Sequence, residues 1–371
     1  MASSSVASNS VTAATVPRTM RAVVYRGKDD VRLETVSVPE IGRGELLLRV
    51  HACGICGTDL KKIHSGSHSA PRIFGHEMAG TVAAVGDGVT NWKVGDRAMA
   101  YHHIPCGSCY YCSKKTFAQC ESYKRVGTTA GFEPSGGGFA EYIRVSDWIV
   151  QRGLVRIPEG VPFEQAAWIE PVNTCYKAVH NLQLQSDETV LVIGQGPIGI
   201  LLAGLAHRTG ARVFTSDLYP KRHALAAQFG LKHPLAPGED PAEVLRRETE
   251  GRGADVVILA VASNALIKPA MDATRPGGRI LLFAATQHAE VVIDPAVICM
   301  DEKTLLGSYS SSAVIQQEAE KLVLEGYEDG FDLTALISHR FPIEDAVEAI
   351  QLASNPQPDS MKILLQMAVP A

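Results

Sequence analysis

The sequence lacks the features that would place it in several specialised classes of protein. Its longest apolar runs are too short to cross a bilayer, so no transmembrane helix is expected. Its net charge of −5 provides no basic field, which argues against binding to nucleic acid or to an acidic membrane by charge. It contains no internal repeat, and its first residues lack the long apolar core of a secretory signal. These absences leave a globular protein.

The composition is that of an ordinary globular chain with more than one domain. Its 371 residues are enough for two sizeable cores, and 46% of them are hydrophobic while 20% are charged. Residues 1–19 are rich in Ser, Ala, Thr and Val and contain no acidic residue. We expect a disordered extension there, with a transit segment as the alternative. Met20 is then a second candidate for the functional start.

Two kinds of sequence pattern alternate along the chain and predict a split domain. Residues 20–174 contain short apolar stretches broken by Gly and Pro, which indicate a compact β-barrel domain. Residues 175–307 alternate apolar strands with helices, which is typical of a doubly wound parallel sheet. Residues 308–371 return to mixed elements. The predicted fold class is therefore α/β, with a β-barrel domain interrupted by a nucleotide-binding domain.

A glycine-rich motif marks the predicted nucleotide site. It lies between the strand DETVLVIG and an apolar helix, the context in which a G-x-G-x-x-G sequence is informative. The first glycine allows a tight turn, the second lets the backbone approach a pyrophosphate, and the third lets helix and strand pack closely. The phosphates would lie at the positive N-terminus of the helix. The motif consists of Gly194, Gln195, Gly196, Pro197, Ile198 and Gly199.

An acidic residue after the next strand indicates which cofactor is bound. Asp217 follows the glycine motif by about 20 residues, as the dinucleotide-binding pattern expects. A carboxylate there accepts hydrogen bonds from the ribose hydroxyls and repels a 2′-phosphate, which favours NAD over NADP. Lys221 and Arg222 follow closely, so NADP stays open as the alternative, and Arg222 is counted among the expected cofactor-binding residues.

Four cysteines in one short run predict a structural metal site. Their spacing, C-x2-C-x2-C-x7-C, allows four thiolates to close a tetrahedral Zn²⁺ site with no open position. Disulfide pairing is the alternative, but it is typical of small secreted scaffolds rather than of a long chain like this one. We therefore expect a reducing, cytoplasmic location. The predicted ligands are Cys106, Cys109, Cys112 and Cys120, in a lobe that spans residues 106–120.

A second set of donors predicts a catalytic metal. Cys56 lies in the sequence GICGTD, and His76 follows soon after it; a soft thiolate with an imidazole favours zinc. A catalytic site takes about three protein ligands and leaves one position open. Glu170, an acidic residue in the apolar stretch AAWIEPV, is the best third candidate, and Glu77 competes with it. Asp59 would accept the other imidazole N–H of His76 and fix its tautomer.

Each of these residues also has an ordinary structural explanation. Cys56 could be a small hydrophobic core residue, His76 a hydrogen-bonded barrel residue, and Glu170 a helix-cap carboxylate. Their joint occurrence beside a four-cysteine run and a nucleotide motif favours the metal site over these explanations.

These motifs make the chain similar to the zinc-dependent medium-chain alcohol dehydrogenases. The similarity covers nearly the whole chain after residue 20, and it implies a GroES-like catalytic domain split around a Rossmann domain that binds NAD, with two zinc ions per chain. It also implies that Cys56 and His76 bind the catalytic zinc and that Glu77 either binds it or exchanges with water. The motifs that carry the resemblance are GICGTD at 54–59, G-H-E-x2-G-x5-G-x2-V at 75–89, the four-cysteine run and GQGPIG at 194–199.

Departures from the liver-type alcohol dehydrogenases point to a hydroxyl-rich substrate. Glu170 stands where liver-type enzymes carry a cysteine ligand, which resembles the sorbitol (L-iditol) and threonine dehydrogenase branch; Cys175 is the alternative ligand. Lys61 stands at the position of the proton-relay histidine, so we expect the proton to leave through Thr58 and water. His102 falls in the wall of the substrate pocket, where it would suit a polar substrate, with a surface histidine as the alternative.

The resemblance therefore implies an oxidoreductase that transfers a hydride between a secondary alcohol or polyol, such as sorbitol or L-iditol, and NAD. Thr58, together with Cys56, His76 and Glu77, would form the catalytic centre. The alternatives are an L-threonine 3-dehydrogenase, a dehydrogenase of another sugar or cyclitol, and, from a different class, a non-catalytic protein that binds NAD and zinc. The expected assembly is a homodimer or homotetramer without nucleic acid or membrane partners.

Overall fold

The computed structural model describes residues 16–132, 134–284 and 290–367. Within these ranges the chain forms three sheets with helices packed against them. Most of the predicted disordered extension, residues 1–15, lies outside the described residues. No helix in the described ranges is both long enough and apolar enough to pass through a membrane.

The strands fall into three groups along the chain. Strands β1 to β9 are Thr19–Gly27, Asp30–Ser37, Leu46–Gly54, Arg72–Ile73, Glu77–Val85, Arg97–Ala100, Thr128–Thr129, Tyr142–Val145 and Leu154–Arg156. Strands β10 to β15 are Thr189–Ile193, Arg212–Ser216, His233–Pro234, Ala254–Leu259, Thr274–Leu282 and Thr304–Gly307. The last two, β16 and β17, are Ile337–Pro342 and Lys362–Gln366.

The helices are spread along the described chain, with five before residue 183 and seven after it. Several begin with proline at the first helical position, where its missing N–H costs no intrahelical hydrogen bond. Helices α1 to α6 are Gly57–Ser65, Tyr110–Ser113, Asp147–Arg152, Phe163–Ala166, Ile169–Leu182 and Pro197–His207. Helices α7 to α12 are Pro220–Gln228, Pro241–Glu248, Ile267–Ala273, Pro295–Cys299, Gln316–Glu328 and Ala346–Ser354.

One mixed sheet joins the N-terminal and C-terminal parts of the chain. Its strand order is β16-β17-β3-β5-β6-β9, with β8 also paired to β3 and β7 paired to β8. The C-terminal strand β17 runs antiparallel to β3, with Leu364 opposite Gly54 and Gln366 opposite Ala52. A separate sheet of order β2-β1-β4 packs nearby. The last strands of the chain therefore complete the sheet that carries the first ones.

The segment between these parts forms a parallel sheet of order β12-β11-β10-β13-β14-β15. Its central strand β10 is buried along its whole length, and its side chains alternate between two cores. Val190 and Val192 face the large core shared with the first domain, while Leu191 and Ile193 face a second core on the other side of the sheet. This architecture agrees with the predicted β-rich domain interrupted by a doubly wound sheet.

A buried glutamine ties α4 to the returning C-terminal segment. The Gln165 side chain is completely buried, and its amide nitrogen donates to the carbonyls of Val323 and Phe331, each at 3.0 Å. Its amide oxygen accepts a hydrogen bond from the Leu333 N–H at 2.8 Å. One side chain thus satisfies three backbone groups from a part of the chain more than 150 residues away.

Replacement of this glutamine tests how firmly the two parts of the split domain are joined. In Gln165→Ala, buried backbone groups lose their partners, so the free energy of unfolding should fall by about 2–4 kcal/mol. Urea denaturation of the wild type and the variant measures this difference. Gln151→Ala, a change at an exposed glutamine of α3, should stay within about 0.5 kcal/mol of the wild type. A Gln165→Ala variant as stable as that control would show that this junction carries little stability.

Candidate active site and metal centres

The pairing of β3 with β5 builds the first donor cluster. Gly54 at the end of β3 lies opposite Glu77 at the start of β5, so the residues just after β3 meet those just before β5. Ligand atoms of Cys56, His76 and Glu77 all lie within 4.8 Å of one another. A Cβ at Gly54 would collide with the Glu77 carboxylate, so glycine is required for the carboxylate to fit. A thiolate, an imidazole and a carboxylate this close together suit a zinc ion.

Asp59 organises this cluster from the first turn of α1. Its Oδ2 accepts a hydrogen bond from the Cys56 N–H at 3.3 Å, and its Oδ1 lies 3.1 Å from His76 Nδ1. The Gly75 N–H also donates to Oδ1, at 3.4 Å. The Asp59 side chain therefore joins the loop after β3 to the loop before β5. With Nδ1 held by the carboxylate, Nε2 of His76 is the nitrogen left for a metal.

Charge within the cluster is balanced at close range. Burial would raise the pKa of Asp59, but the facing His76 brings it below its ordinary value. Burial would likewise lower the pKa of His76, but Asp59 and Cys56 raise it well above its ordinary value. The surroundings of His76 are therefore strongly negative, and a bound cation would be stabilised there.

Lys362, which the sequence analysis missed, faces Glu77 from the C-terminal strand. Its ammonium forms an ion pair with Glu77 Oε2 and donates to the Ile55 carbonyl at 3.3 Å. Both charged side chains are almost fully buried. Burial would lower the pKa of Lys362, but Glu77 and Cys56 raise it. The signal in the sequence was a lysine in the otherwise apolar closing strand MKILLQM.

Glu170, the preferred third ligand of the sequence analysis, lies outside the cluster of Cys56, His76 and Glu77. It is buried in the first turn of α5, and Thr174 Oγ1 donates to its Oε1 at 3.2 Å. Burial raises the pKa of Glu170, although the nearby His76 opposes this. Cys175, the alternative ligand, is also fully buried, and burial raises the pKa of its thiol well above the ordinary value.

Of the other polar residues predicted for the site, Thr58 and His102 lie next to the cluster, whereas Lys61 lies at the surface. The Thr58 N–H donates to Cys56 Sγ at 3.4 Å, and Thr58 itself is exposed beside the cluster. His102 lies next to the cluster, with its ring centroid 4.9 Å from that of His76. Burial lowers the pKa of His102 well below its ordinary value, and its Nδ1 has no hydrogen-bond partner among the described residues. Lys61 is an exposed residue of α1.

The four cysteines of the lobe come together as a second cluster. The sulfur atoms of Cys106, Cys109, Cys112 and Cys120 all lie within 4.8 Å of one another, and no disulfide links any cysteine of the chain. N–H and O–H donors surround them: the Ser108 N–H, the Ser108 hydroxyl and the Cys109 N–H all point at Cys106 Sγ. These donors lower the pKa of Cys106 to about 6. Burial, in contrast, raises the pKa of Cys112 to about 12. Four sulfur atoms this close together fit a zinc ion that is closed to substrate.

The glycine motif forms the turn between β10 and α6, and α6 begins at Pro197. Gly194 has a φ of 96°, a left-handed conformation that glycine adopts without strain. A Cβ at Gly199 would collide with the Gly194 carbonyl oxygen, whereas a Cβ at Gly196 would meet nothing within 4 Å. The backbone is therefore tightly packed at Gly199, while space is left beside Gly196. A pyrophosphate at the helix N-terminus requires such space. Ile198, also in the first turn of α6, packs against the large core.

Asp217 directly follows β11, beside this turn. Its Oδ2 accepts a hydrogen bond from the Gln195 N–H at 2.7 Å, and its Oδ1 accepts one from the Tyr219 N–H at 2.9 Å. Arg222 Nη1 lies 3.3 Å from Oδ2. The carboxylate is thus fixed just after β11, at the position that the dinucleotide-binding pattern predicts for the ribose contact. Arg222 is held against it and faces the same edge.

The fold and the two donor clusters define a dinucleotide-linked oxidoreductase with zinc-type metal sites. The chain belongs to the zinc-dependent medium-chain alcohol dehydrogenases: residues 42–159 match the family model for the alcohol dehydrogenase GroES-like domain, and residues 197–325 match that for zinc-binding dehydrogenases. It is accordingly an NAD-dependent enzyme that acts on an alcohol or polyol.

Two characterised relatives illustrate the branch of the family. The chain is 29% identical to the sorbitol dehydrogenase of Bacillus subtilis, over 95% of this chain and 98% of that one. It is 32% identical to the L-threonine 3-dehydrogenase of Symbiobacterium thermophilum, over 90% of this chain and 93% of that one. Both similarities extend over almost the whole of each protein, so they concern both domains.

Solved structures show the same architecture. The alcohol dehydrogenase from Thermus sp. ATN1 superposes with a TM-score of 0.82 at 29% identity, over 94% of this chain and 100% of that one. The acetophenone reductase from Geotrichum candidum, solved in complex with NAD, superposes with a TM-score of 0.79 at 26% identity, over 95% of this chain and 99% of that one. The GroES-like and Rossmann domains predicted from the sequence are confirmed.

The role of Asp59 can be tested through metal affinity. Asp59→Asn keeps the shape of the side chain but removes the charge that faces His76, so the affinity for one zinc ion should fall by about 10- to 100-fold. Competition with a chromogenic chelator measures this affinity. The matched control is Asp329→Asn, a change at an exposed aspartate after α11, which should leave it unchanged. Equal zinc affinities in both variants would show that Asp59 does not support the metal site.

Proposed function

We propose that this protein oxidises a hydroxyl-rich secondary alcohol, a polyol of the sorbitol or L-iditol kind, with NAD as the hydride acceptor. The observation that carries the proposal is the position of His102, a half-buried side chain whose ring packs beside the cluster of Cys56, His76 and Glu77. Its Nδ1 lacks a partner among the described residues, and a buried polar atom of this kind is satisfied by a substrate hydroxyl group. A purely apolar pocket wall would favour simple alcohols instead.

The chain's own residues prepare the site for this reaction. A zinc ion held by Cys56, His76 and Glu77 would supply a Lewis acid for the alcohol oxygen, and bound NAD would supply the hydride acceptor. Thr58, exposed beside Cys56, takes up the alcohol proton at its hydroxyl and passes it to solvent. His102 orients the substrate through one of its further hydroxyl groups. Glu170 holds a proton at neutral pH more readily than an exposed glutamate does, because burial raises its pKa.

A second candidate function is that of an L-threonine 3-dehydrogenase. The 32% identity to an enzyme of that name supports it, as does Glu170 in the first turn of α5. A threonine substrate carries a carboxylate and an ammonium group, so its pocket needs fixed charges of both signs. The side chain that lies beside the cluster, His102, offers a partnerless ring nitrogen that suits a hydroxyl group, and for this reason we place the polyol first.

We infer that the protein assembles as a homodimer or homotetramer through the edge of its parallel sheet. In the described part of the chain, β15 pairs with β14 on one side only. Exposed apolar side chains lie close to this edge in the sequence, among them Met300 and Leu305. An open strand edge with apolar neighbours is a surface that a second copy can cover by continuing the sheet.

We also infer a reducing location such as the cytoplasm. All eight cysteines of the chain are free thiols in the structure. Four of them form the lobe cluster and one belongs to the catalytic cluster, and thiolates bind zinc only while they remain reduced.

Metal content tests the assignment of two zinc sites. Wild-type protein should contain two zinc ions per chain, and Cys56→Ala and Cys109→Ser should each contain one. Cys56→Ala should lose activity by about a thousandfold or more while still binding NADH, because a catalytic metal supplies several kcal/mol of stabilisation. Cys109→Ser should first lower the melting temperature. A Cys56→Ala variant with wild-type turnover would show that the catalytic zinc has been placed wrongly.

A substrate panel tests the proposed reaction. NADH formation should be fastest with sorbitol or a related polyol, as measured by kcat/KM against xylitol, inositols, threonine, butane-2,3-diol and simple alcohols. His102→Phe should lower kcat/KM for the polyol by about 10- to 100-fold and affect a simple secondary alcohol much less, because only the polyol needs a polar wall. Preference for threonine would favour the second candidate, and no activity on any alcohol would overturn both.

A further inference from the structure

A stack of four rings, three of them buried and that of His102 half-buried, leads from the catalytic cluster to the four-cysteine lobe. The ring centroids of His76 and His102 are 4.9 Å apart, and those of His102 and His103 are 3.6 Å apart. The His103 and Tyr123 rings follow at 3.4 Å. Tyr123 is only 3% exposed and packs into the core of the cysteine lobe. The two donor clusters are therefore joined by packed side chains.

The hydroxyl group of Tyr123 reaches the segment that leaves the last strand of the nucleotide-binding domain. Its oxygen lies 3.0 Å from Ser310 Oγ and 3.3 Å from Ser311 Oγ. Both serines follow β15, at the carboxyl end of the parallel sheet, which is the end where such sheets bind their ligands. Burial raises the pKa of Tyr123 to about 12, so the hydroxyl keeps its proton at neutral pH.

Helix α5 also contacts the segment that carries these serines, residues 309–312. Lys177 Nζ donates to the carbonyls of Tyr309 and Ser310, at 2.7 and 3.2 Å. Asn173 exchanges two hydrogen bonds with the backbone of Ser312, at 2.7 and 3.1 Å. The segment 309–312 is thus fixed between α5, which also carries Glu170, and the lobe.

This segment borders a cleft of about 610 Å³. One wall of the cleft is formed by residues 115–119 of the lobe, and the other by the carboxyl ends of β14 and β15 with the residues that follow them. Ser308 Oγ, in the second wall, is buried and has no partner among the described residues. A cleft of this size with a few polar groups suits part of a small-molecule ligand.

We propose that Tyr123 is a positioning residue that fixes the two walls of this cleft relative to each other. Its ring fixes His103 and His102 on the substrate side, and its hydroxyl fixes Ser310 and Ser311 on the cofactor side. The four-cysteine lobe therefore contributes to cofactor binding as well as to stability. This inference rests on the proposed function and assigns a role to residues that the proposed chemistry leaves unused.

The test is the affinity for NADH of Tyr123→Phe, a change that keeps the ring but removes the hydroxyl. The loss of one buried hydrogen bond should raise the Kd for NADH by roughly three- to tenfold, as measured by fluorescence titration without alcohol. KM for NAD should rise in the same proportion, while kcat and the content of two zinc ions per chain stay near their wild-type values. A tyrosine with a merely structural role in the lobe would change zinc content or stability and leave this affinity unchanged.

A variant that leaves the lobe untouched makes the test decisive. Ser310→Ala combined with Ser311→Ala removes the partners of the hydroxyl and should raise the Kd for NADH by the same factor. The two serine changes together with Tyr123→Phe should raise it no further, because all three remove one shared interaction. The matched control, Tyr110→Phe at an exposed tyrosine of the lobe, should bind NADH like the wild type.

Besides an unchanged affinity in Tyr123→Phe, two results would overturn the inference. The first is a serine variant that binds NADH as tightly as the wild type, whatever Tyr123→Phe does. The second is a combined variant whose Kd for NADH rises by the product of the factors measured for Tyr123→Phe and for the serine variant. That result would show that the residues act independently. Wild-type protein that failed to bind NADH at all would instead overturn the proposed function, and the inference with it.

Discussion

The register between β3 and β5 is the constraint on which the rest of the active site depends. Because Gly54 lies opposite Glu77, the loop that carries Cys56 and the loop that carries His76 leave the sheet at the same point. A shift of one residue would turn every side chain of a strand to the opposite face and separate the donors. The pairing of β17 with β3 adds Lys362 to the same place, so three distant parts of the chain meet at one cluster.

Buried charge is arranged around this cluster so that each group has an opposite neighbour. Asp59 faces His76, and Lys362 faces Glu77. An unpaired charge at such depth would be costly, whereas a paired one can be kept in place for chemistry. Lys362 offers Glu77 a partner other than a metal ion, and the buried Glu170 stands near enough to influence the same charges. The site therefore contains two glutamates with different surroundings, one ion-paired and one hydrogen-bonded to Thr174.

The second metal lobe lies closer to the active site than its sequence suggested. The four-cysteine run indicated a metal with no chemistry of its own, and the clustered sulfur atoms suit that interpretation. Yet the rings of His103 and Tyr123 extend the lobe to His102 on one side, and the Tyr123 hydroxyl extends it on the other to the segment that follows the last strand of the nucleotide-binding domain. A lobe held together by a metal is a rigid support, and a rigid support suits residues that position a substrate wall.

The sequence by itself determined the class of this protein, because its informative residues are close together in the chain. The glycine turn from Gly194 to Gly199 and the cysteine run each depend on short spacing, which local geometry translates directly into structure. The donors Cys56 and His76 could also be recognised, since each lies in a short motif. Only the tertiary structure decided which side chains meet them. The contacts of Lys362 with Glu77 and of Tyr123 with Ser310 join residues that are 187 or more positions apart, and no local pattern records such pairs. They exist because the C-terminal strand returns to β3 and because the two domains close on one cleft, and these are properties of the packed chain.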